Sequence, residues 1–524
     1  MSGLLQRYAS GDPAVMEWFA AAPESLTATA PPGRSWDLPL AEALRALQPK
    51  LGLAREFRGD EPVIITGQQP GLFLGPMYTL LKAVTAVRLA REMRERHGGA
   101  CVPVFWVASE DHDFEEVRRA WFRDNAGGII ERVYTPADNS GAAADVAGLP
   151  MHKVPADASL HGWIDELAAA CAGSELTGET AALLHDTLSE AASVSNWFAR
   201  LMAALFKDTD MIIFAPHMQT ARAAGARVIR GEIESPLETT RLLAEAGEGM
   251  RAAGLEPAIV RAEDACNFFL MVGGRRRKVL YRRGRFELPE EEGLSYGQAE
   301  LLELLAAEPG RFSPNVALRP VVQQVLFPCA AYVAGPGEVA YWAQLKRVFA
   351  RFSVDMPVVW PRARAVMITP KERRRLNETG LTVDDLMLPE RECLDRALDA
   401  EAAPPVLEKV ARRRAEAGTA LEALEGELAG VPGDGAAMVR KMREHLNGGF
   451  DRIEARLRRG DEDRLRRATQ ELERLRGSLA PMRKPQERVF SPFSYLFSQG
   501  PGLVARLLDE LSLDYTRTQE VEWL

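Results

Sequence analysis

The sequence predicts an α/β protein with a Rossmann-like parallel-sheet core, helical insertions and a separate α-helical coiled-coil domain. Short, continuous apolar runs end in loops of small or polar residues and lead into helical patterns, the order of a parallel sheet with both faces covered. A later stretch, 393–484, is rich in Glu, Arg, Ala and Leu, keeps 3–4 apolar spacing and has no strand signal. A chain of 524 residues exceeds one ordinary core, so more than one structural unit is expected.

Taken in order, the run 63–65 leads into the loop 66–71 and a helix over about 76–96. The run 102–107 leads into 108–113, and 211–214 into 215–217. The run 330–334 leads into 335–338 and a helix to about residue 352, and 357–359 is a further strand. In such a fold ligands bind at the carboxyl ends of the strands. The middle region, about 140–310, holds helical segments at 160–172, 179–206 and 236–253 and a hairpin at 268–281. It reads as insertions that wall a substrate cleft. The expected division is 1–392 for the core with its insertions, 393–484 for the coiled coil, and 485–524 for an apolar, aromatic tail that returns to the core.

In the helical region, Leu407, Val410, Ala417, Leu421, Leu424 and Leu428 form one stripe, interrupted by Arg414. Residues 431–435 break it, with Asp434 as N-cap of the next helix. Met438, Met442, Leu446, Phe450, Ile453 and Leu457 continue the stripe, and Leu465, Ala468, Leu472, Leu475 and Leu479 close it. A narrow seam between charged flanks buries little alone, which predicts a homodimer built through these helices.

Composition narrows the function classes. Lys plus Arg number 65 against 74 Asp plus Glu, a net charge of −9, which argues against a nucleic-acid partner. The exception is the basic stretch 274–278 with Arg282 and Arg283, read as a solvated β-turn with a phosphate or RNA site as its rival. The N-terminal residues lack a basic start followed by an apolar run, and no segment approaches the roughly 20 apolar residues needed to span a bilayer. The reading is cytoplasmic, with no membrane partner. Cys101, Cys171, Cys266, Cys329 and Cys393 are scattered without metal-ligand or C-x-x-C spacing, so they read as small buried hydrophobes.

Three segments carry candidate chemistry. In TGQQPGLFLGPMYT, Thr66, Gly67, Gln68, Gln69, Gly75, Pro76 and Tyr78 form a strand–turn–helix junction that could present N–H groups to an anion. The two glutamine amides suit a polar, uncharged group, and a purely structural turn is the rival. In FWVASEDHDF, Glu110, Asp111, His112 and Asp113 crowd one strand end, a pattern unfavourable for stability and typical of a site. A carboxylate beside His112 would favour its protonated form and make it a general acid or base near neutral pH. A metal site is one rival there, without a second His or Cys nearby to support it; an Asp cap with a satisfied histidine is the other. In the third segment Asn315 and Arg319 precede a strand that ends at Gly335, Gly337 and Glu338. Arg319 is a fork for a carboxylate or phosphate, and Tyr341 and Trp342 offer an aromatic face or core packing.

Four stretches resemble the bacillithiol biosynthesis cysteine-adding enzymes: TGQQPGLFLGPMYT at 66–79, FWVASEDHDFEEV at 105–117, PNVALRP at 314–320 and GPGEVAYWAQL at 335–345. They lie in order over the first 350 residues, and the helical region and the tail ERVFSPFSYL at 487–496 fit the same layout. The resemblance implies a core like that of class I aminoacyl-tRNA synthetases and nucleotidyltransferases. It also implies the family's assigned activity: ligation of L-cysteine to glucosaminyl-malate, with those two small molecules as substrates. Synthetase relatives make an adenylate with an H-x-G-H pair and a lysine-rich loop. Here GQQPGLFLGP stands at the first position and no such loop follows, so the activating cosubstrate, ATP or another nucleotide, stays open. Removal of a proton from the sugar amine by His112, oriented by Asp111 or Asp113, completes the expectation. The rivals are another nucleotidyl- or glycosyltransferase on the same fold and a non-catalytic coiled-coil scaffold.

Overall fold

The computed structural model describes residues 3–28, 35–125, 127–138, 141–171, 174–400 and 406–523. They fall into two compact units, Met1–Met367 with Gln486–Leu524, and Ile368–Pro485. In the first unit the strands that matter are β1 (Val63–Gln68), β2 (Val102–Val107), β3 (Ile212–Phe214), β4 (Ala265–Val272), β5 (Arg275–Arg282), β6 (Phe312–Pro314), β7 (Cys329–Ala334) and β8 (Val358–Pro361). The helices are α1 (Tyr78–His97), α2 (Gln219–Glu234), α3 (Arg319–Leu326) and α4 (Pro336–Trp342).

The central sheet runs β8-β7-β1-β2-β3, and every neighbouring pair is parallel. Side-chain alternation explains why its strands read as unbroken apolar runs. Ile64, Phe105 and Val333 point into one buried core, while Ile65, Val104, Trp106 and Tyr332 point into the other. The strand order reverses at β1: the chain moves outward to β2 and β3, then returns to β7 on the far side. Loops leaving β1, β2 and β7 therefore open a crevice at their carboxyl ends, where this architecture binds ligands.

A second, antiparallel sheet contains β6-β4-β5 and two short strands, Arg285–Glu287 and Ser295–Tyr296. The expected hairpin at 268–281 is its centre. The stretch 140–310 is not wholly insertion, because β3 lies within it and hydrogen-bonds to β2. The helix expected over 179–206 is two helices, Leu176–Ser189 and Val194–Leu205, separated where Ser193 caps the second through Asn196 N. Likewise α4 stops at Trp342, and a separate helix spans Lys346–Arg351.

The tail packs within the first unit. Phe490, Phe493, Tyr495, Leu496 and Phe497 are buried in the core that holds Phe73 and Trp197, and Ser491 Oγ donates to Phe73 O at 2.9 Å.

The second unit is helical, led by α5 (Val406–Leu428) and α6 (Gly435–Leu479). Residues 368–392 pack with it, a stretch expected in the core; Arg375 of its first helix pairs with Glu471 at 3.0 Å. Asp434 sits at the N-cap of α6, but its side chain makes no capping hydrogen bond. Cross-links such as Arg414–Asp451 at 2.7 Å and Arg443–Glu422 at 2.9 Å tie α5 to α6. Met438, Met442 and Ile453 share one face of α6 and are 64%, 59% and 49% exposed.

Candidate active site

β1 delivers Gly67, Gln68 and Gln69 to the crevice. Gly67 is required by its neighbour on β2: a Cβ there would sit 2.8 Å from Trp106 O. The rest of the first motif is structural. Thr66 Oγ1 is buried and donates to Val333 O at 2.9 Å, a strap between β1 and β7. Leu72, Phe73 and Leu74 are fully buried, and Phe73 packs edge-on against Phe122 and Trp197. Gly75, with φ +64°, turns the chain beneath them. Gly75 and Pro76 do not line the cleft, which corrects the expected anion site at that helix start. α1 begins later, at Tyr78, and Met77 N is already spent on Phe490 O at 2.7 Å. Tyr78 does line the cleft.

After β2 the chain turns at once, so residues 110–113 do not alternate as a strand would and each has its own surroundings. Glu110 is buried against Arg222 of α2 at 2.5 Å. Asp111 Oδ1 accepts from His112 N at 2.7 Å and Asp113 N at 3.1 Å, and its Oδ2 accepts from Gln69 Nε2 at 2.9 Å. Asp113 caps the short helix Phe114–Val117 through Glu116 N at 3.2 Å. His112 alone has its ring in the cleft with its side-chain chemistry uncommitted to the turn. Burial, and then the charge of Arg276, hold its pKa below the ordinary value against the pull of Asp111 and Asp113. The expected protonated imidazole is thus corrected to a neutral one at pH 7.

Arg276 is what the sequence reading missed. The basic stretch was expected in solvent, yet Arg276 is only 7% exposed. Its Nε donates to Ser313 Oγ at 2.9 Å and its Nη2 to Pro314 O at 2.6 Å. The guanidinium lies 3.9 Å from the centre of the Phe269 ring and brings Nη1 to 3.3 Å from His112 Nδ1. Strand alternation was the signal: consecutive arginines on one strand of a hairpin cannot all face water.

On the β7 side, Glu338 gathers three donors. Lys82 of α1 lies at 2.5 Å, Gly335 N at 2.7 Å and Tyr332 Oη at 2.5 Å. Burial pushes the Glu338 carboxyl up, but these partners outweigh it and hold it below its ordinary range. Gly335, Gly337 and Glu338 line the cleft. However, Glu338 occupies the N–H group of Gly335, and its negative charge opposes an anion at the start of α4. Lys82, another residue missed in the sequence, also donates to Gly67 O at 2.7 Å and Gln68 Oε1 at 3.0 Å.

Arg319 and Tyr341 reach the cleft. Arg319 donates to Tyr341 Oη at 2.9 Å and Gln323 Oε1 at 3.1 Å, partners that leave its charge unneutralised. Asn315 lines the cleft too, but its side chain is committed, with Oδ1 accepting from Ala317 N at 2.9 Å and Nδ2 donating to Asn267 at 3.0 Å. Trp342 does not belong to the site: it is fully buried, stacked 4.7 Å from Tyr332 and 5.7 Å from Phe349.

The resulting cleft encloses about 600 Å³. Arg362, after β8, enters it held by Glu487 of the tail at 2.5 Å, and Arg488 enters beside it. Among the described residues Arg488 has no ion pair or hydrogen bond. The cleft thus offers guanidinium groups for carboxylates around one neutral imidazole.

Residues 57–363 match the family model for the N-terminal Rossmann-like domain of the bacillithiol biosynthesis protein BshC, and residues 365–517 match the model for its C-terminal coiled-coil domain. Curated relatives carry the name "Putative cysteine ligase BshC". The one from Symbiobacterium thermophilum is 33% identical over 87% of this chain and 83% of its own. That from Geobacillus thermodenitrificans is 32% identical over 85% and 81%, and that from Geobacillus kaustophilus 30% over 91% and 89%.

Proposed function

The chain belongs to the BshC family of bacillithiol biosynthesis, and from that premise we propose that its cleft joins the carboxyl of L-cysteine to the amine of glucosaminyl-malate. The observation that carries this reading is the pairing of unneutralised guanidinium groups, Arg319 and Arg488, with the neutral His112 ring in one cleft. The malate moiety brings carboxylates that arginine forks bind well. The amino sugar brings an amine, which must attack as the free base.

Roles divide accordingly. His112 meets the reacting groups. Asp111 shapes the turn that carries it and, through Gln69, links that turn to β1. Glu110 and Asp113 are positioning residues, one anchored on α2 and one capping a helix. Gln68, Tyr78, Tyr341 and the Gly335–Glu338 loop line the sugar and amino-acid space. A carboxylate is a poor electrophile, so the cysteine acyl group needs activation by a cosubstrate of the nucleoside triphosphate class, such as ATP. The start of α4 does not fit its phosphates, because Glu338 stands there.

The protein works as a cytoplasmic homodimer in this reading. Five buried cysteines, none of them in a disulfide among the described residues, suit a reducing compartment. The exposed Met438, Met442 and Ile453 on one helix face supply an apolar surface for a second copy. No helix among the described residues is long and apolar enough to cross a membrane.

The experiment is a thiol profile of a strain deleted for this gene. Loss of bacillithiol with accumulation of glucosaminyl-malate is the expected result. Unchanged bacillithiol, in a strain with no second copy of the gene, overturns the reading.

A further inference from the structure

We propose that Arg276 fixes the tautomer of His112, so that the ring meets the reacting carbonyl through an Nε2–H donor and not as a proton acceptor. The proposal rests on the cleft being the ligation site.

A guanidinium nitrogen can only donate. Arg276 Nη1 stands 3.3 Å from His112 Nδ1, and two N–H groups cannot face each other at that separation. Nδ1 therefore presents its lone pair, and the single proton of the neutral ring sits on Nε2. Arg276 is not free to swing away. Its other nitrogens are tied to Ser313 Oγ and Pro314 O on β6, and its plane rests on Phe269 of β4. The same Phe269 ring packs edge-on against His112 at 5.2 Å. Burial lowers the guanidinium to about 10, so it stays charged at pH 7.

The groups facing His112 pull in opposite directions: burial and Arg276 favour the neutral ring and outweigh the carboxylates, which favour the protonated one. Asp111 and Asp113 lie in its own turn, Arg276 reaches it from β5, and Glu290 stands beyond. Asp111 Oδ1 is 3.9 Å from Nδ1 and already accepts two backbone N–H groups, so it competes poorly for a proton on Nδ1. Glu110 is neutralised by Arg222. Nε2 has no protein partner among the described residues, and the ring lines the cleft.

This geometry changes the expected chemistry from general base to electrophilic donor. As the amine lone pair forms the C–N bond, the carbonyl π pair moves onto oxygen, and Nε2–H donates to that oxygen. When the pair returns, the bond to the activating group breaks and leaves with its electrons. The extra proton of the amine passes to water. The ring gains and loses nothing.

The test uses the full chain with its seven histidines labelled with nitrogen-15 and recorded without substrate at pH 7. The expected His112 spectrum has an unprotonated Nδ1 and a protonated Nε2. In Arg276→Met the ring should sample both tautomers and titrate at higher pH. In a bacillithiol-forming assay, His112→Gln, whose amide N–H reaches the Nε2 position, should stay within about tenfold of wild type. His112→Ala and His112→Asn should each lose about 10²–10³, the usual cost of removing one oxyanion donor. A protonated Nδ1 overturns the proposal whatever the cleft does, and so does a His112→Gln variant as inactive as His112→Ala. The predicted tautomer with full activity in His112→Ala overturns the carbonyl contact, and with it the cleft as the ligation site.

Discussion

Lys82 Nζ lies 2.5 Å from Glu338 Oε2, and the same ammonium donates to Gly67 O and Gln68 Oε1. One buried cation thereby joins the end of β1 to the loop after β7, the two strands that flank the crevice. Burial holds Lys82 below its ordinary pKa, opposed by Glu338. Removing one partner leaves the other charged in a dry place, which usually costs about 3–5 kcal/mol. Glu338→Leu should therefore lower the melting temperature clearly, while Lys82→Met with Glu338→Leu should recover part of the loss. Equal melting of the single variant and wild type would show the pair to be dispensable.

A second prediction concerns acid stability. His217 is held down to about 4 by the burial of its ring, then by His152 and Arg222. Its ring stacks on His152 at 4.5 Å, and its Nδ1 meets Ser109 Oγ at 2.7 Å, although the residue as a whole is exposed. His112 and His152 are lowered too, both chiefly by burial. A depressed histidine binds its proton less well folded than unfolded, so the unfolded state carries more protons as pH falls from about 6.5 toward 4. Stability should decline through that window, and His217→Gln should flatten the decline. Melting curves between pH 7.5 and 4.5 check this, and a profile identical in both proteins would contradict it.

The tail supplies the third. Arg488 is exposed in the cleft and unpartnered, so Arg488→Ala should leave the melting temperature unchanged. It should raise KM for glucosaminyl-malate about tenfold or more, the range of a lost hydrogen bond to a charged group. An unaltered KM would remove Arg488 from the binding surface.

For assembly, Met438→Glu with Met442→Glu places two charges on the exposed face of α6. Light scattering should then report a monomer where wild type is a dimer at tens of micromolar. A monomeric wild type would contradict the homodimer directly.

How much of this was legible in the sequence follows from the range of the interactions. The parallel strands were, because burial on both faces leaves unbroken apolar runs such as 102–107, and the coiled-coil seam was, because its spacing is local. The ends of β1, β2 and β7 were likewise marked by the polar and glycine-rich loops that leave them. Long-range partners were not. Lys82 lies within an otherwise ordinary helix and gains meaning only from Glu338, 256 positions along the chain. Arg276 is hidden in a basic run, and only its partners on another strand, Ser313 and Pro314, single it out. Trp342 stayed open between a stacking surface and core packing because a helix's inner and outer faces are not distinguished within one turn. The turn at 108–113 was not legible as a strand end, since Asp111 Oδ1 accepts from the N–H groups of His112 and Asp113 and ends the extended chain.

Cysteine addition to the malate-linked sugar in this cleft, with His112 at the reacting centre, is decided by bacillithiol content in a deletion strain carrying wild type, His112→Ala or Cys329→Ser at matched protein level. Cys329 is buried at the start of β7 with its thiol near Gln323, so Cys329→Ser should restore bacillithiol nearly as wild type does. His112→Ala should fold, accumulate glucosaminyl-malate and lose all but about 1% of bacillithiol formation, in line with the loss of one preorganised donor. Full bacillithiol in the His112→Ala strain would contradict a role for His112 at the reacting centre, and loss in the Cys329→Ser strain would point to a covalent enzyme thiol in its place.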